Sequence, residues 1–561
     1  MKVGIDFGTS TSEIAYVDEK GKIVVIPNHL GEAITPSIVY IQEDNTVLVG
    51  TEAREKALID PNNAFIEVKR MFGQDIVLIA RGKAYKPVDI AKIIIEYLVG
   101  CAEKFSGQSI DSAVITVPAY FTDSQRREVM TAGKLAGLSV DRIINEPTAA
   151  SLDYGIRHMS DCNHILVYDL GGGTLDVTVL ELFEGVVEVK SSSGNNTLGG
   201  KDFDQALMNH MTTRIIKSDK IDITKDPRAM MRLKMAAQHC KENLSIEDDY
   251  SIELPFLYTK NDKPKAYSHN ITRKDFEDLI KPLILSTSEQ IDTALSDANL
   301  TEEDIDMVLL VGGSTRIPLV TSFLSDIFGE VTGTSVDPDL AVVRGAAIQA
   351  GVLSGIITGN DAIVLTDVCP YSLSTSVLKT VDMGFFSDHI EVCDILIPKN
   401  RTLPASFSKS YTTASDNQTE VHISAYQGEG EFPEENELLN KFVLSGIPKA
   451  RAGKEDVNIS FEYDLNGILD IKAQIISTGK TAQMRIDTAL DIDLENWKKA
   501  PLAKIYRNTI NKAARKIKLD ADLAEELERP LEQLKRALVL EWDEKICNSL
   551  ADELLDILEE L

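Results

Sequence analysis

Two short stretches of this chain carry residue types suited to holding phosphate. Asp6 is followed by Gly8, Thr9 and Ser10, and far downstream Asp169 is followed by Gly171, Gly172, Gly173 and Thr174. Glycine lets a backbone approach a ligand that a side chain would block, and successive N–H groups in such a turn form a concavity for phosphate oxygens. Mg²⁺ keeps several of its waters and takes few direct protein ligands, so two carboxylates beside two such turns suit a hydrated ion on a nucleotide. A single Gly-Gly-Gly turn is more often structural; the specificity lies in two matched turns in one chain.

Each turn sits in the same context. VGIDFGTSTSEIAYV near the start and ILVYDLGGGTLDVTVLEL from Ile165 both run as an apolar strand ending in aspartate, a Gly/Thr turn and an alternating return strand. The duplication predicts two similar α/β lobes facing each other across a cleft, with Asp6 and Asp169 at strand ends, where α/β sheets bind ligands. GNNTLGGKD from Gly194 misses the P-loop pattern by one register, because Gly200 stands where lysine is required and Asp202 follows Lys201. It reads as a glycine turn capping a helix of Phe203, Leu207, Met211 and Ile215, whose N-terminus can face phosphate.

The elements that must position these turns follow a strand-helix alternation. SAVITVPAY precedes a polar helix from about Ser124 and a short apolar segment at Ile143, while MVLLVGGSTRIP leads into a helix with Pro318 in its first turn. Helical GAAIQAGVL closes this part near Leu353. A polar turn and apolar strip, GIITGNDAIVLTD, then introduce strand-rich sequence. In TEVHISAYQ, Val421, Ile423 and Ala425 share one face and Glu420, His422 and Ser424 the other. VNISFEYDLNGILDIKA reads as a hairpin closed by a type I′ turn at Asn466-Gly467, and the region as an antiparallel β-sandwich. After about Asp491 the pattern is helical, with stripes of Leu523, Leu527, Leu531, Leu534 and Leu538 and of Leu550, Leu554, Leu558 and Leu561; Pro530 kinks the first or starts a new helix.

Composition narrows the function classes. At 561 residues the chain is too long for one core. The net charge of -30 disfavours binding to nucleic acid, and no apolar run approaches the ~18 residues needed to span a bilayer. The N-terminus enters a strand pattern without a secretory signal, so the expected location is the cytoplasm. Cys101, Cys162, Cys240, Cys369, Cys393 and Cys547 are scattered without metal-ligand spacing and read as reduced thiols.

In order, the motifs GIDFGTSTS, KRMFG, TVPAYFTDSQR, INEPTAA, DLGGGTLDV, LGGKDFD, VGGSTRIP, DPDLAVVRGAAIQA and TTASDNQTEVHISAYQGE make nearly the whole chain resemble the seventy-kilodalton heat-shock chaperones of the DnaK type. The shortened segment after KRMFG, VLTDVCPYSLS and the reduced helical tail resemble the bacterial HscC-like branch most. The resemblance implies a multidomain protein: an actin-like (ribonuclease H-like) two-lobed α/β ATPase domain at 1–357, a linker at 358–367, an antiparallel β-sandwich binding peptide at 368–490 and a short α-helical lid at 491–561.

Carried onto this sequence, the resemblance implies Mg-dependent hydrolysis of ATP to ADP. Asp6, Glu146 and Asp169 would serve the hydrated Mg²⁺ and the attacking water, with Lys69 and Thr174 catalytic beside them. Gly8, Thr9, Ser10, Gly171, Gly172, Gly173, Gly199 and Gly200 would surround the phosphates. Lys241, Gly312, Gly313, Ser314, Arg316 and Asp339 would border the nucleoside, with Gln238 and Glu242 standing where many members have an acid and a base. K⁺ is a further candidate ion. Pro118, Tyr120, Arg126 and Asp367 match the family's relay, and Ile363, Val364, Leu365 and Asp367 its docking linker, where Thr366 replaces an expected leucine. Leu373, Thr375, Leu378, Tyr411, Ala414, Gln418, Val421 and Ile423 match the channel for extended client peptides, Thr375 and Leu378 replacing the usual isoleucine and a common methionine. Arg142, Asn145, Thr148 and Asp367 match the surface for a J-domain cochaperone, and a nucleotide-exchange factor is a further partner.

Three other readings share parts of this pattern: a small-molecule kinase of the same ATPase fold, an actin-like filament protein and a chaperone-fold scaffold with vestigial activity. A kinase would be complete near Leu353, and the intact set of Lys69, Glu146 and both aspartates argues against the scaffold.

Overall fold

The structure is a computed structural model describing residues 1–158, 164–183, 186–329, 332–333, 336–358, 364–382, 387–485, 502–519, 527, 531, 534–535, 538 and 544–560. The chain forms two compact units, Met1–Ile486 and Asp487–Leu561.

The duplicated hairpins nucleate two sheets of the same plan. In the first, Lys2–Phe7 pairs antiparallel with Thr11–Val17 and parallel with Ser112–Val117, beyond which lies Ser139–Asn145. In the second, His164–Leu170 pairs antiparallel with Leu175–Phe183 and parallel with Met307–Val311. The register sets Asp6 opposite Glu13 in one hairpin and Asp169 opposite Asp176 in the other. Each sheet has its own apolar cluster, one around Val3, Ile5, Ile94 and Ile115, the other around Leu166, Tyr168, Phe203 and Leu310.

A third cluster joins them through the helices Glu146–His158 and Ala341–Leu353. Their backbones touch: a Cβ on Gly345 would lie 1.7 Å from the Ala149 carbonyl oxygen, so only glycine fits. This close packing fixes Glu146, in the first turn of its helix, against the sheet that carries Asp6. The helix Gly200–Asp219 buries Phe203, Leu207, Met211 and Ile215 as its spacing predicts, and Pro318 opens the helix Pro318–Phe328. The polar helix is Asp123–Leu135, capped by the Thr122 side chain on Gln125 N–H.

Strands Val364–Thr366 extend the second sheet, pairing parallel with Val186–Asn195 and burying Leu365. Ile363 lies outside the described residues. Two four-stranded antiparallel sheets follow, ordered Ser387–Ile397, Leu373–Asp382, Glu420–Gln427, Glu437–Ser445, and Ala405–Thr412, Asp456–Tyr463, Leu469–Ile475, Thr481–Arg485. They share a core of Leu373, Ile397, Ile423, Phe461 and Leu469. The alternation of TEVHISAYQ holds only at its start, since Ser424, Tyr426 and Gln427 are also buried where the strand meets the rest of the unit.

The expected type I′ turn is corrected. Residues 464–468 form a longer connection in which Gly467 alone has positive φ, at 69°. The Asp464 carboxylate accepts the N–H groups of Asn466 and Ile468 at 2.8 and 2.9 Å, an arrangement that removes the need for a left-handed Asn466.

In the second unit, helices Ala503–Leu519 and Glu544–Glu560 and residues Leu527, Leu531, Leu534 and Leu538 contribute one apolar cluster with Leu554 and Leu558. Leu523, Pro530 and Leu561 lie outside the described residues. Among the described residues no helix is long and apolar enough to cross a membrane. Of the described cysteines, Cys101, Cys240, Cys369 and Cys393 are free thiols and Cys547 is buried; Cys162 lies outside the description.

Candidate functional site: a carboxylate-lined phosphate cleft

The two glycine turns face each other at the floor of a cleft. A Cβ on Gly172 would lie 2.0 Å from Ser10 Oγ and one on Gly173 2.6 Å from Thr9 Oγ1, so both positions must stay without side chains for the turns to meet. An inner cavity of about 80 Å³ is lined by Asp6, Gly8, Thr9, Ser10, Lys69, Glu146, Asp169, Gly171 to Thr174, Gly312, Gly313 and Asp339. A larger cavity of about 1040 Å³ continues outward past Ser10, Gly172, Lys241, Ser314, Arg316 and Asp339. The predicted residues from both lobes are thereby brought together.

Lys69 lines the inner cavity. It rides on the short turn Val68–Met71 and is 2% exposed, with its ammonium donating to Glu146 Oε1 at 2.6 Å and to the Phe7 carbonyl. The rings of Phe7 and Phe121, 5.7 and 5.6 Å away, shield it from water. Thr116 Oγ1 donates to Asp6 at 2.7 Å.

Carboxylates crowd this small volume. Burial, then the charge of Glu146, pushes Asp6 up to about 7 against the pull of Lys69 and Thr116. Burial and the charges of Glu146, Asp176 and Asp6 hold Asp169 well above the usual range. Among the described residues, Asp169 Oδ2 is buried with no hydrogen-bond partner. A hydrated divalent cation fits that donor set, relieving the repulsion and satisfying the orphaned oxygen. Among the described residues no group of three or more His, Cys, Asp or Glu is placed to hold a metal ion.

Other predicted residues stand farther back. The N–H groups of Gly200 and Lys201 donate to the carbonyls of Gly171 and Gly172 at 3.0 and 2.9 Å, so this helix N-terminus braces the glycine turn. Gly199 packs behind it, where a Cβ would lie 2.6 Å from Gly173 N. Lys241 donates to Gly200 O and pairs with Asp204, both at 2.8 Å. Arg316 is held by Asp339 at 2.6 Å and Asp337 at 3.1 Å, and Gln238 donates to Glu242 at 2.9 Å on the opposite wall.

Sequence reasoning missed Glu13 and Asp176. Glu13 lines the inner cavity, is 2% exposed and has an Oε1 without a hydrogen-bond partner among the described residues. Asp176 is fully buried beside Asp169, pushed up to about 7 by burial and then by Glu146, and accepts Tyr120 N–H at 3.0 Å. Their signal was the repeat itself: each stands seven residues after its lobe's aspartate.

The family described as Hsp70 protein matches residues 2–78 and 75–561 of this chain. The chaperone protein DnaK of Thermotoga petrophila is 39% identical over 566 residues, covering 100% of this chain and 92% of its own length. The chain belongs to the Hsp70 family. Hsp70 proteins are ATP-dependent chaperones that hydrolyse ATP, bind ATP and ADP generally with Mg²⁺, and bind unfolded client proteins; this chain is such a chaperone and ATPase. The kinase reading is not favoured.

In this Hsp70 two of the expected relay residues, Arg126 and Asp367, are joined through Asn145. Asn145 donates to Asp367 at 2.7 Å and accepts from Arg126 at 2.7 Å, while Arg126 also donates to the carbonyls of Ala119 and Phe121. Pro118 O accepts Phe121 N–H at 3.2 Å. Asn145 immediately precedes Glu146, the partner of Lys69. The hydroxyl of Thr366 is buried without a hydrogen-bond partner among the described residues. Asn145, Thr148 and Asp367 are buried, and of the four expected cochaperone contacts only Arg142 is partly exposed.

The expected peptide residues divide. Leu373 and Ile423 are closed into the sandwich core, and Thr375, also buried, donates to Ser424 O at 2.8 Å. Val421 is partly buried against that core, whereas Leu378 is 58% exposed. Tyr411 donates to Asp394 at 2.8 Å, and Gln418 accepts Ala414 N–H at 2.9 Å, joining those two in one loop.

Proposed function

We propose that the cleft takes ATP with its phosphates between Gly8, Thr9 and Ser10 on one side and Gly171 to Thr174 on the other, and that nucleotide state sets the grip on extended peptide. The finer architecture belongs to this reading: an actin-like, ribonuclease H-like ATPase domain at 1–357, linker at 358–367, peptide-binding β-sandwich at 368–490 and α-helical lid at 491–561, most like the HscC-like branch. The observation that carries it is the adjacency of Asn145 and Glu146, one bonded to the linker's Asp367 and the next to Lys69.

Phosphoryl transfer depends mainly on positioning and on neutralising developing charge. A Mg²⁺ bound through water by Asp6 and Asp169 would neutralise the phosphates and orient them. Lys69 presents its positive charge to the terminal phosphate, and Glu146 holds that ammonium in place. Thr174 and Glu146 orient a water for attack, with Gly199 and Gly200 bracing the glycine turn. Gly312, Gly313, Ser314, Arg316, Asp339 and Lys241 border the nucleoside, and K⁺ is a further ion that the site would hold.

Relay residues Pro118, Tyr120, Arg126 and Asp367 report nucleotide state to Leu373, Thr375, Leu378, Tyr411, Ala414, Gln418, Val421 and Ile423, which take an apolar peptide segment by backbone hydrogen bonds and a side-chain pocket. A J-domain cochaperone acting at Arg142, Asn145, Thr148 and Asp367, a nucleotide-exchange factor and a cytoplasmic location complete the reading. The test is dissociation of a fluorescent apolar peptide from the full chain: release is faster with ATP than with ADP, and equal rates would overturn the coupling.

A further inference from the structure

Tyr371, four residues beyond Asp367, makes a second connection to the expected relay residue Tyr120, one that does not pass through Asp367 or Asn145. Its hydroxyl donates to the backbone carbonyl of Tyr120 at 3.0 Å, and the two rings stand 4.3 Å apart between centroids at a 48° tilt. Burial raises the Tyr371 hydroxyl pKa far above the tyrosine value, so it stays a neutral donor throughout the working pH range. On the far side, the Tyr120 N–H donates to Asp176 Oδ1 at 3.0 Å, and Asn196 Nδ2 donates to the Tyr120 carbonyl at 2.7 Å.

This corner is closely packed at Gly194. A Cβ on Gly194 would lie 3.0 Å from both Asp176 Oδ1 and Tyr120 Cβ, so the backbone of Gly194 packs closely against both, and the Tyr120 N–H bond ties the position of Tyr120 to Asp176. Asp176 in turn faces Asp169 across the hairpin. At the other end Tyr371 is anchored to the β-rich region, because the Glu429 carboxylate takes both the N–H and the hydroxyl of the next residue, Ser372, at 2.7 and 2.8 Å.

We infer that Tyr371 is a positioning residue whose hydroxyl clamps Tyr120, and through it Asp176, making a route between the β-rich region and the phosphate cleft separate from Asp367 and Asn145. The inference rests on the coupling reading above. It is tested on the full chain with Tyr371→Phe, which keeps the ring and removes the hydroxyl, and with Tyr371→Leu. Dissociation of a fluorescent apolar peptide is followed with ATP and with ADP, alongside thermal melting. With the wild type accelerated by ATP, Tyr371→Phe retains its melting temperature and its ADP-state rate within about twofold, while its ATP-state rate falls about two- to tenfold, the size of one net hydrogen bond. Tyr371→Leu falls at least as far. Unchanged ATP acceleration in Tyr371→Phe, including a loss confined to Tyr371→Leu, overturns the hydroxyl clamp. Absence of ATP acceleration in the wild type itself overturns the coupling reading, and this inference with it.

Discussion

Arg127 donates to the backbone carbonyl of Leu469 at 3.0 Å while Asp123, its ion-pair partner at 2.5 Å, accepts the N–H of the same residue at 3.2 Å. One buried pair on the helix Asp123–Leu135 thus satisfies both backbone groups of Leu469 in the β-rich region. Gln427 reaches the same helix, accepting Asp123 N–H at 3.2 Å, and Asn466 accepts Ile143 N–H at 3.1 Å. Removing one partner of a buried ion pair costs about 3–5 kcal/mol because the other charge is stranded. Arg127→Ala is therefore expected to abolish ATP-accelerated peptide release; a rate equal to that of the wild type with ATP would show that this contact does not hold the two regions together.

Thr366 tests the linker from the opposite direction. Its hydroxyl is buried without a hydrogen-bond partner among the described residues, a burden of about 1–3 kcal/mol. Thr366→Val keeps the shape and removes the orphaned group. The linker strand then binds its neighbour Val186–Asn195 more firmly, and the ATP concentration giving half-maximal acceleration of peptide release falls. An increase in that concentration would contradict the assignment.

Glu128 supplies a pH signature. Burial pushes its carboxyl up to about 7, only partly offset by the N–H of Gly73, which it accepts at 2.9 Å. A folded-state pKa above the unfolded value means that the protonated form is the one the fold favours. Its effect on stability is most favourable below the unfolded carboxylate pKa and is lost as pH rises through about 7. Glu128→Gln keeps an acceptor for Gly73 and cannot ionise. Melting curves should show this variant more stable than the wild type at pH 8, with the gap narrowing toward pH 5; a gap that widens on acidification would reverse the sign.

The carboxylates of the inner cavity were legible in the sequence because their setting is local: Asp6 and Asp169 stand beside their own glycine turns, and the duplication said that they must face each other. Glu13 and Asp176 were not named, since only strand register turns a spacing of seven into two carboxylates lying side by side. The helix at Gly200 was found, yet sequence could not tell that its first N–H groups are taken by Gly171 and Gly172. Asn466-Gly467 suggested a tight turn, but the Asp464 carboxylate and the contact with Ile143 select a longer loop. Tyr371 carried no signal, because its partner is a backbone carbonyl far away in the chain.

The most direct test of the account is the behaviour of Lys69→Ala in two assays, equilibrium binding of ATP and single-turnover hydrolysis. The residue sits at the floor of the inner cavity, bonded to Glu146 and away from the outer cavity bordered by Lys241, Ser314 and Arg316. Binding should stay within a few-fold while the hydrolysis rate falls by about 10²-fold or more, as expected when a charge aimed at the transferring phosphate is removed. Hydrolysis at the wild-type rate would contradict the central claim that Lys69 and Glu146 mark the reacting centre.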